Sequence, residues 1–170
     1  MPTTYGESAG RQLDAFLAKY TPEIAALARD IFNGMRKRLP GAVELVYDNY
    51  NALVVGFGPS EKISEAVFSI ALYPRWATLF FLHGAELPDP AKRMQGGGKH
   101  VRHVVFESAK TLNEPAVRDL MSRALAQAAA AFDRKAPGRI VIKSVSAMQR
   151  PRRPPARRTR VTIEIGARGR

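Results

Sequence analysis

Residues 67–83 read VFSIALYPRWATLFFLH, two runs of β-branched, aromatic and other apolar residues on either side of a Pro-Arg pair. A proline at position 74 presets the backbone angle that the first central residue of a tight turn requires. The pattern therefore predicts two antiparallel strands, Val67–Tyr73 and Trp76–His83, that form a hairpin. This hairpin is the clearest element of the sequence, and the neighbouring segments can be placed around it.

Three more strands are predicted on the two sides of this hairpin. Residues 43–47 (VELVY) and 52–57 (ALVVGF) are β-rich and are separated by the turn-forming segment Asp48–Asn51. After a loop with several glycines and prolines, Val101–Phe106 is predicted as a fifth strand. The sequence therefore predicts an antiparallel meander of about five strands.

Helical segments flank the predicted sheet. A short helix is predicted at Gly10–Tyr20, and a longer one begins at Thr21, with a proline at its first position, and runs to about Leu39. After the last strand, apolar residues from Val117 to Phe132 recur with a period of about 3.6 residues and predict an amphipathic helix. Strands grouped between helices are typical of an α+β domain.

The composition indicates a globular domain. The chain has 170 residues, of which 45% are hydrophobic and 25% are charged, as in ordinary globular proteins. It contains no cysteine, which excludes disulfides, thiolate catalysis and cysteine-ligated metal sites. No apolar run approaches the length of about 18 residues that spans a bilayer, and no signal peptide is visible at the start. We therefore expect a soluble, cytoplasmic protein without a membrane partner.

The basic charge is concentrated at the C-terminal end of the chain. Residues 134–170 contain 12 Lys/Arg and one acid, whereas residues 1–133 contain 15 basic and 14 acidic residues. We interpret residues 1–137 as the α+β domain and residues 138–170 as a basic Arg/Pro-rich tail, with short β segments at Ile140–Val145 and Val161–Ile165. The sequence leaves open whether this tail packs on the domain.

The tail is a candidate contact surface for nucleic acid or another polyanion. Each of its arginines can neutralise a phosphate, with binding that weakens steeply with salt. The interspersed prolines predict an extended, solvated segment, and the absence of aromatic residues among the arginines argues against base stacking. The alternative is a tail that only aids solubility. The candidate contact residues are Arg150, Arg152, Arg153, Arg157, Arg158 and Arg160.

Several motifs follow one another in a distinctive order: a strand and a tyrosine-containing turn, a strand with LYP, a hydrophobic strand, LPDP, a glycine-rich loop with lysine, and a final helix. The segments are Tyr47–Gly58, Phe68–Gly84, Leu87–Pro90, Gly96–Lys99 and Arg102–Phe106. This order, over roughly residues 24–132, resembles the YdhG-like family (domain of unknown function 1801). The resemblance implies a small α+β domain. One branch of the family is described as frataxin-like iron chaperones, which implies metal handling as an alternative function.

Polar and aromatic residues near the turns of the two hairpins form a candidate ligand pocket. If the hairpins are neighbours in the sheet, their turns would collect these residues at one edge. The alternative is ordinary sheet packing, with the polar ends of the aromatic side chains at the rim. The candidate pocket residues are Tyr47, Asp48, Tyr50, Tyr73, Arg75 and Trp76.

The glycine-rich loop before the fifth strand is a weaker candidate, for anion binding. Successive backbone N–H groups and a lysine can hold an anion. The loop lacks the Walker pattern, because Arg93 and His100 stand where that pattern requires glycine and Ser/Thr. The candidate anion-binding residues are Gly96, Gly97, Gly98, Lys99 and Arg102.

The sequence shows no catalytic constellation. No serine lies in a nucleophile-elbow context. His100 and His103 are three residues apart, which places them on opposite faces of a strand, so we predict no metal site and no cofactor. The function predicted is therefore that of a small binding or adaptor protein, with nonspecific polyanion contact through the tail. A metal-handling chaperone is the alternative that the family resemblance implies.

Overall fold

The computed structural model describes the backbone of residues 4–156 and the side chains of residues 8–156. The described residues form three α-helices and six strands. The helices are α1 (Thr4–Leu17), α2 (Pro22–Arg38) and α3 (Pro115–Gln127), and the strands are β1 (Val43–Asp48), β2 (Leu53–Gly58), β3 (Phe68–Leu72), β4 (Ala77–Phe81), β5 (Arg102–Val105) and β6 (Arg139–Val145).

The predicted α+β class and the order of the first five strands are confirmed. Strands β1 to β5 pair antiparallel, each with the next. In the hairpin of β3 and β4, the amide of Tyr73 donates to the carbonyl oxygen of Trp76 at 2.9 Å. This bond encloses Pro74 and Arg75, so the two-residue turn lies where the proline predicted it.

The prediction of a five-stranded, purely antiparallel sheet was wrong. The sheet has six strands in the order β5-β4-β3-β2-β1-β6, and β6 pairs with β1 in parallel. The chain leaves β5 at one edge, crosses the sheet through α3 and returns at the opposite edge, and such a crossover allows a parallel pairing. Ile140–Val145 was predicted as a β segment, but its pattern did not show which edge it would join.

The helices cover one face of the sheet. Residues of α2 such as Ala28, Ile31 and Met35 are fully buried, and residues of α3 such as Val117 and Leu120 belong to the same core. Alternate strand residues meet them, because side chains on one face of a strand recur every second residue. Core residues of the central strands are Leu53, Val55, Phe57, Phe68, Ile70, Leu72, Ala77, Leu79 and Phe81.

Two helix boundaries differ from the predictions. Helix α1 begins at Thr4 rather than Gly10, and it ends at Leu17. Helix α3 ends at Gln127, because Ala128 adopts an extended backbone conformation, although its amide still donates to the carbonyl of Leu125. The start of α2 agrees with the prediction, since the Thr21 side chain accepts a hydrogen bond from the amide of Ile24.

The junction between α1 and α2 is tied to the sheet by Tyr20. Its buried hydroxyl donates to the carbonyl of Leu72 at 2.8 Å and accepts from the amide of Leu53 at 3.1 Å. Leu53 and Leu72 are register partners on β2 and β3. One hydroxyl therefore fastens the helical layer to the end of the sheet where the turns of the two hairpins lie. Within residues 4–156 no helix is long and apolar enough to cross a membrane.

Candidate functional site

The chain that follows β6 lies against the turn between β1 and β2. Because β6 runs parallel to β1 with Val145 opposite Asp48, the chain leaves the sheet beside this turn. The amide of Ser146 donates to the carbonyl of Asp48 at 2.9 Å, and the amide of Arg150 donates to the carbonyl of Tyr50 at 2.9 Å. The described part of the basic tail is therefore packed on the domain.

The buried side chain of Arg152 holds this segment on the domain. Its guanidinium lies 2.8 Å from the Asp48 carboxylate, and the two side chains are only 3% and 1% exposed. The same guanidinium donates to the carbonyl oxygens of Asn49 and Tyr50 and lies over the ring of Tyr20. Its Nε atom is buried without a hydrogen-bond partner. Asp48, the turn and Tyr20 thus surround one buried arginine.

The Asp48 carboxylate accepts hydrogen bonds from two cations. Lys19, two residues beyond the end of α1, donates to it at 2.9 Å, in addition to the bond from Arg152. Burial by itself would raise the pKa of Asp48. The hydrogen bonds from Lys19, Gln149 and Arg152 outweigh this effect and hold the pKa below its ordinary value. The carboxylate therefore stays ionised and keeps the segment in place.

A groove lies between the anchored segment and the turn of the second hairpin. Its volume is about 680 Å³. The rings of Tyr73 and Trp76 stack with their centroids 4.7 Å apart, and Trp76 remains 45% exposed. We call this feature the basic groove, and it is lined by Asn51, Tyr73, Pro74, Arg75, Trp76, Arg150, Pro151, Arg153, Pro154 and Pro155.

The basic groove carries only positive charge. Arg75, Arg150 and Arg153 are exposed and line it, and none of them is ion-paired with an acidic side chain among the described residues. Arg153 donates to the carbonyl oxygens of Ala18 and Lys19 just beyond the end of α1, where a cation is favoured. The groove therefore presents three arginines and an aromatic face to one ligand.

The structure brings together only part of the predicted pocket. Tyr73, Arg75 and Trp76 line the basic groove, and Tyr50 lies beside it with its ring under the Arg150 guanidinium at 5.7 Å. Asp48 lies beneath the groove in its ion pair and is not accessible to a ligand. Tyr47 is half-buried and precedes Asp48 on β1, so it projects from the opposite face of the sheet.

The six candidate arginines of the tail differ in their burial and in whether the structure describes them. Arg150 and Arg153 are exposed at the basic groove, as a contact surface requires, whereas Arg152 is buried, in contrast to the solvated segment that was predicted. The proline-rich pattern signalled an extended chain but carried no sign that one arginine faces a buried carboxylate. Arg157, Arg158 and Arg160 lie outside the described residues, as does the β segment predicted at Val161–Ile165.

The glycine-rich loop is exposed and is held in part by its own arginine. The Arg102 guanidinium donates to the carbonyl oxygens of Gly98 and Val101. Both bonds are made by the Nη1 atom. Gly96 adopts a positive φ of 114°, which glycine tolerates, while Gly97 has open space around it. The anion-binding role of Gly96, Gly97, Gly98, Lys99 and Arg102 stays a prediction.

Sequence reasoning missed the supports of the basic groove. Lys19 and Tyr20 end the first helical segment and carried no motif, yet they contact Asp48 and Arg152. Gln149, whose amide donates to the Asp48 carbonyl at 3.1 Å, was equally unmarked. More than 100 residues separate Gln149 and Arg152 from Asp48 in the chain. No local pattern could have paired them.

Comparisons with known proteins do not identify a relative. No family model, curated protein or solved structure matches the chain. The resemblance to the YdhG-like family therefore stays a prediction. Within the part of the chain that the structure describes, no group of three or more His, Cys, Asp or Glu residues is placed to hold a metal ion. The metal-handling alternative also stays a prediction.

Proposed function

We propose that this protein binds nucleic acid in the basic groove, with arginines on the phosphates and an unpaired base on Trp76. The observation that carries the proposal is the convergence of Arg75, Arg150 and Arg153 on a groove that also exposes a stacked aromatic pair. The tail by itself has no aromatic residue among its arginines. Tertiary packing supplies the aromatic face from the second hairpin.

The chemistry of the groove favours a single strand over a duplex. Arginines that neutralise phosphates release counterions from any nucleic acid, so they contribute affinity without regard to sequence. An exposed aromatic ring adds about 1–3 kcal/mol for each base that stacks on it, but only a base that is free of its partner can do so. The ring of Tyr73 stacks on that of Trp76 with the centroids 4.7 Å apart, so the two rings form one aromatic face.

Salt-dependent binding of random-sequence RNA and DNA tests the arginine contacts. Fluorescence anisotropy of the full chain with labelled single strands should show a linear fall of log affinity with log salt. Arg75→Gln and Arg150→Gln should each reduce the slope by about 0.7, the value for one single-strand phosphate contact. Arg29→Gln is the matched control, because Arg29 is exposed on α2 and does not line the groove. An equal loss in the control would contradict the site.

The tryptophan provides a direct test of stacking. Trp76 is the single tryptophan of the chain, so base stacking in the groove should quench its fluorescence as single-stranded RNA is added. A duplex of the same length should bind more weakly and quench less. Binding without quenching would refute the stacking contact, and no binding at near-physiological salt would refute the proposed function.

A further inference from the structure

A second concave region lies where the end of α2 meets α3 and the chain that follows it. It consists of two adjoining hollows of about 320 Å³ and 180 Å³. Both are lined by Arg38, Leu125 and Arg134, so the two hollows are adjacent. None of their lining residues lines the basic groove. We call this region the α2–α3 hollow.

The larger part of the α2–α3 hollow is cationic. Lys37, Arg38, Arg118 and Arg134 line it together with Met121, Ser122 and Leu125. No acidic side chain belongs to this lining, and none of the four cations is ion-paired within the described residues. Four positive charges that line one hollow without an acidic side chain among them attract an anion.

Arg38 is the fixed point of this cluster. It is half-buried, and its guanidinium donates to the Asn113 side-chain oxygen at 2.7 Å and to the Met121 sulfur at 3.6 Å. Both partners are uncharged, so they orient the guanidinium without neutralising it. Burial and then the nearby Arg118 lower the pKa of Arg38 from its ordinary value. The fold thus holds the charge of Arg38 at an energetic cost.

The smaller part of the α2–α3 hollow is apolar. Its lining adds Leu39, Pro40, Ala131 and Phe132 to the three shared residues. Leu125 and Phe132 are partly buried and pack against the core, which gives this wall a firm backing. Its volume is about 180 Å³, and it is open to solvent on one side. The space suits one ring or a short alkyl group.

We infer that the α2–α3 hollow binds a small organic anion, a phosphate monoester or carboxylate whose apolar body enters the Leu125–Phe132 side while its charge meets Arg38, Arg118 and Arg134. Arginines recognise carboxylate and phosphate through charge-assisted, often bidentate hydrogen bonds. An apolar wall beside a few convergent polar groups is the usual form of a small-molecule site. This inference does not depend on nucleic-acid binding in the basic groove.

Phenyl phosphate is a suitable probe, because it joins one ring to one phosphate. In a titration of the isotope-labelled full chain followed by NMR, saturable shifts are expected in the amides of residues 37–39, 118–125 and 131–134. Inorganic phosphate and phenol, which supply the charge and the ring separately, should each bind at least about tenfold more weakly. Equal affinity for phenyl phosphate and inorganic phosphate would overturn the organic part of the inference.

Two variants separate the two halves of the site. Arg118→Gln removes an exposed cation and should weaken phenyl phosphate binding about tenfold, whereas Arg29→Gln, at an exposed position of α2 that lines neither hollow, should leave it unchanged. Ala131→Phe, which fills the apolar part from an exposed position, should weaken phenyl phosphate and spare inorganic phosphate. Equal effects of the two arginine variants, or no saturable shift at millimolar phenyl phosphate, would overturn the site. A thermal melt of each variant verifies that the fold is intact.

Discussion

Replacing Arg152 with methionine should lower the free energy of unfolding by about 3 kcal/mol. The guanidinium and the Asp48 carboxylate are 3% and 1% exposed, so water cannot replace the lost partner. Removing one member of such a buried pair costs about 3–5 kcal/mol. Lys19 remains 2.9 Å from the same carboxylate, and we therefore expect the lower end of this range. Methionine keeps much of the volume, so that the loss reports the charge and its hydrogen bonds.

Urea denaturation of the full chain measures this loss. Arg150→Gln is the matched control, because it removes the same charge from an exposed position and should change stability by no more than about 0.5 kcal/mol. Combining Arg152→Met with Asp48→Leu should restore part of the stability, since apolar residues can replace a buried ion pair at little cost. If Arg152→Met unfolds at the same urea concentration as the control, with an unchanged dependence of the unfolding free energy on urea, then the ion pair of Arg152 with Asp48 does not stabilise the fold.

Three further predictions concern the groove and its support. The pKa of Asp48 is lower in the folded state than in the unfolded state, so the ionised carboxylate stabilises the fold fully above the unfolded pKa of about 4, and this stabilisation is lost as the pH falls through the folded pKa. Urea titrations at descending pH should show this loss of stability. Asp48→Asn should remove that part of the pH dependence. Trp76→Ala should weaken single-stranded RNA binding by about 1–3 kcal/mol without a matching loss for duplex, measured by anisotropy; equal losses would contradict stacking. Tyr20→Phe removes the hydroxyl that bridges Leu53 and Leu72 and should cost about 1–3 kcal/mol. Hydrogen exchange at the Leu53 amide should then accelerate, and an unchanged rate would argue against the bridge.

Local sequence patterns predicted the helices and strands better than they predicted which strands pair with each other. The hairpin of β3 and β4 was readable because a proline turn and alternating apolar residues are properties of neighbouring positions. Strand β6 was visible as a β segment, but its place beside β1 depends on the path of α3 across the sheet. Parallel pairing leaves no turn signature between the paired strands, and for that reason the mixed sheet was not predicted.

In the candidate site, too, residues close together in the chain were predicted as a group, whereas contacts between distant residues were not predicted. Tyr73, Arg75 and Trp76 share one turn and were recognised as a group, whereas the tail arginines were recognised only by their charge. Arg152 was predicted to be solvated, but it is buried against Asp48. The ion pair joins residues 104 positions apart, so no local sequence signal indicated it. The aromatic face that the tail lacks is supplied by a different part of the chain.

The sequence by itself determined the α+β class, the meander of five strands, the start of α2 and the location of the basic charge. These properties follow from turn chemistry, periodicity and composition, which act over a few residues. Only the tertiary structure decided that the described tail closes over the turn at Asp48 and that Arg150 and Arg153 face Trp76 across a groove. The reason is physical. Buried charges must find partners wherever the chain brings them together, and the crossover through α3 brings residues 146–153 to a turn about one hundred positions earlier.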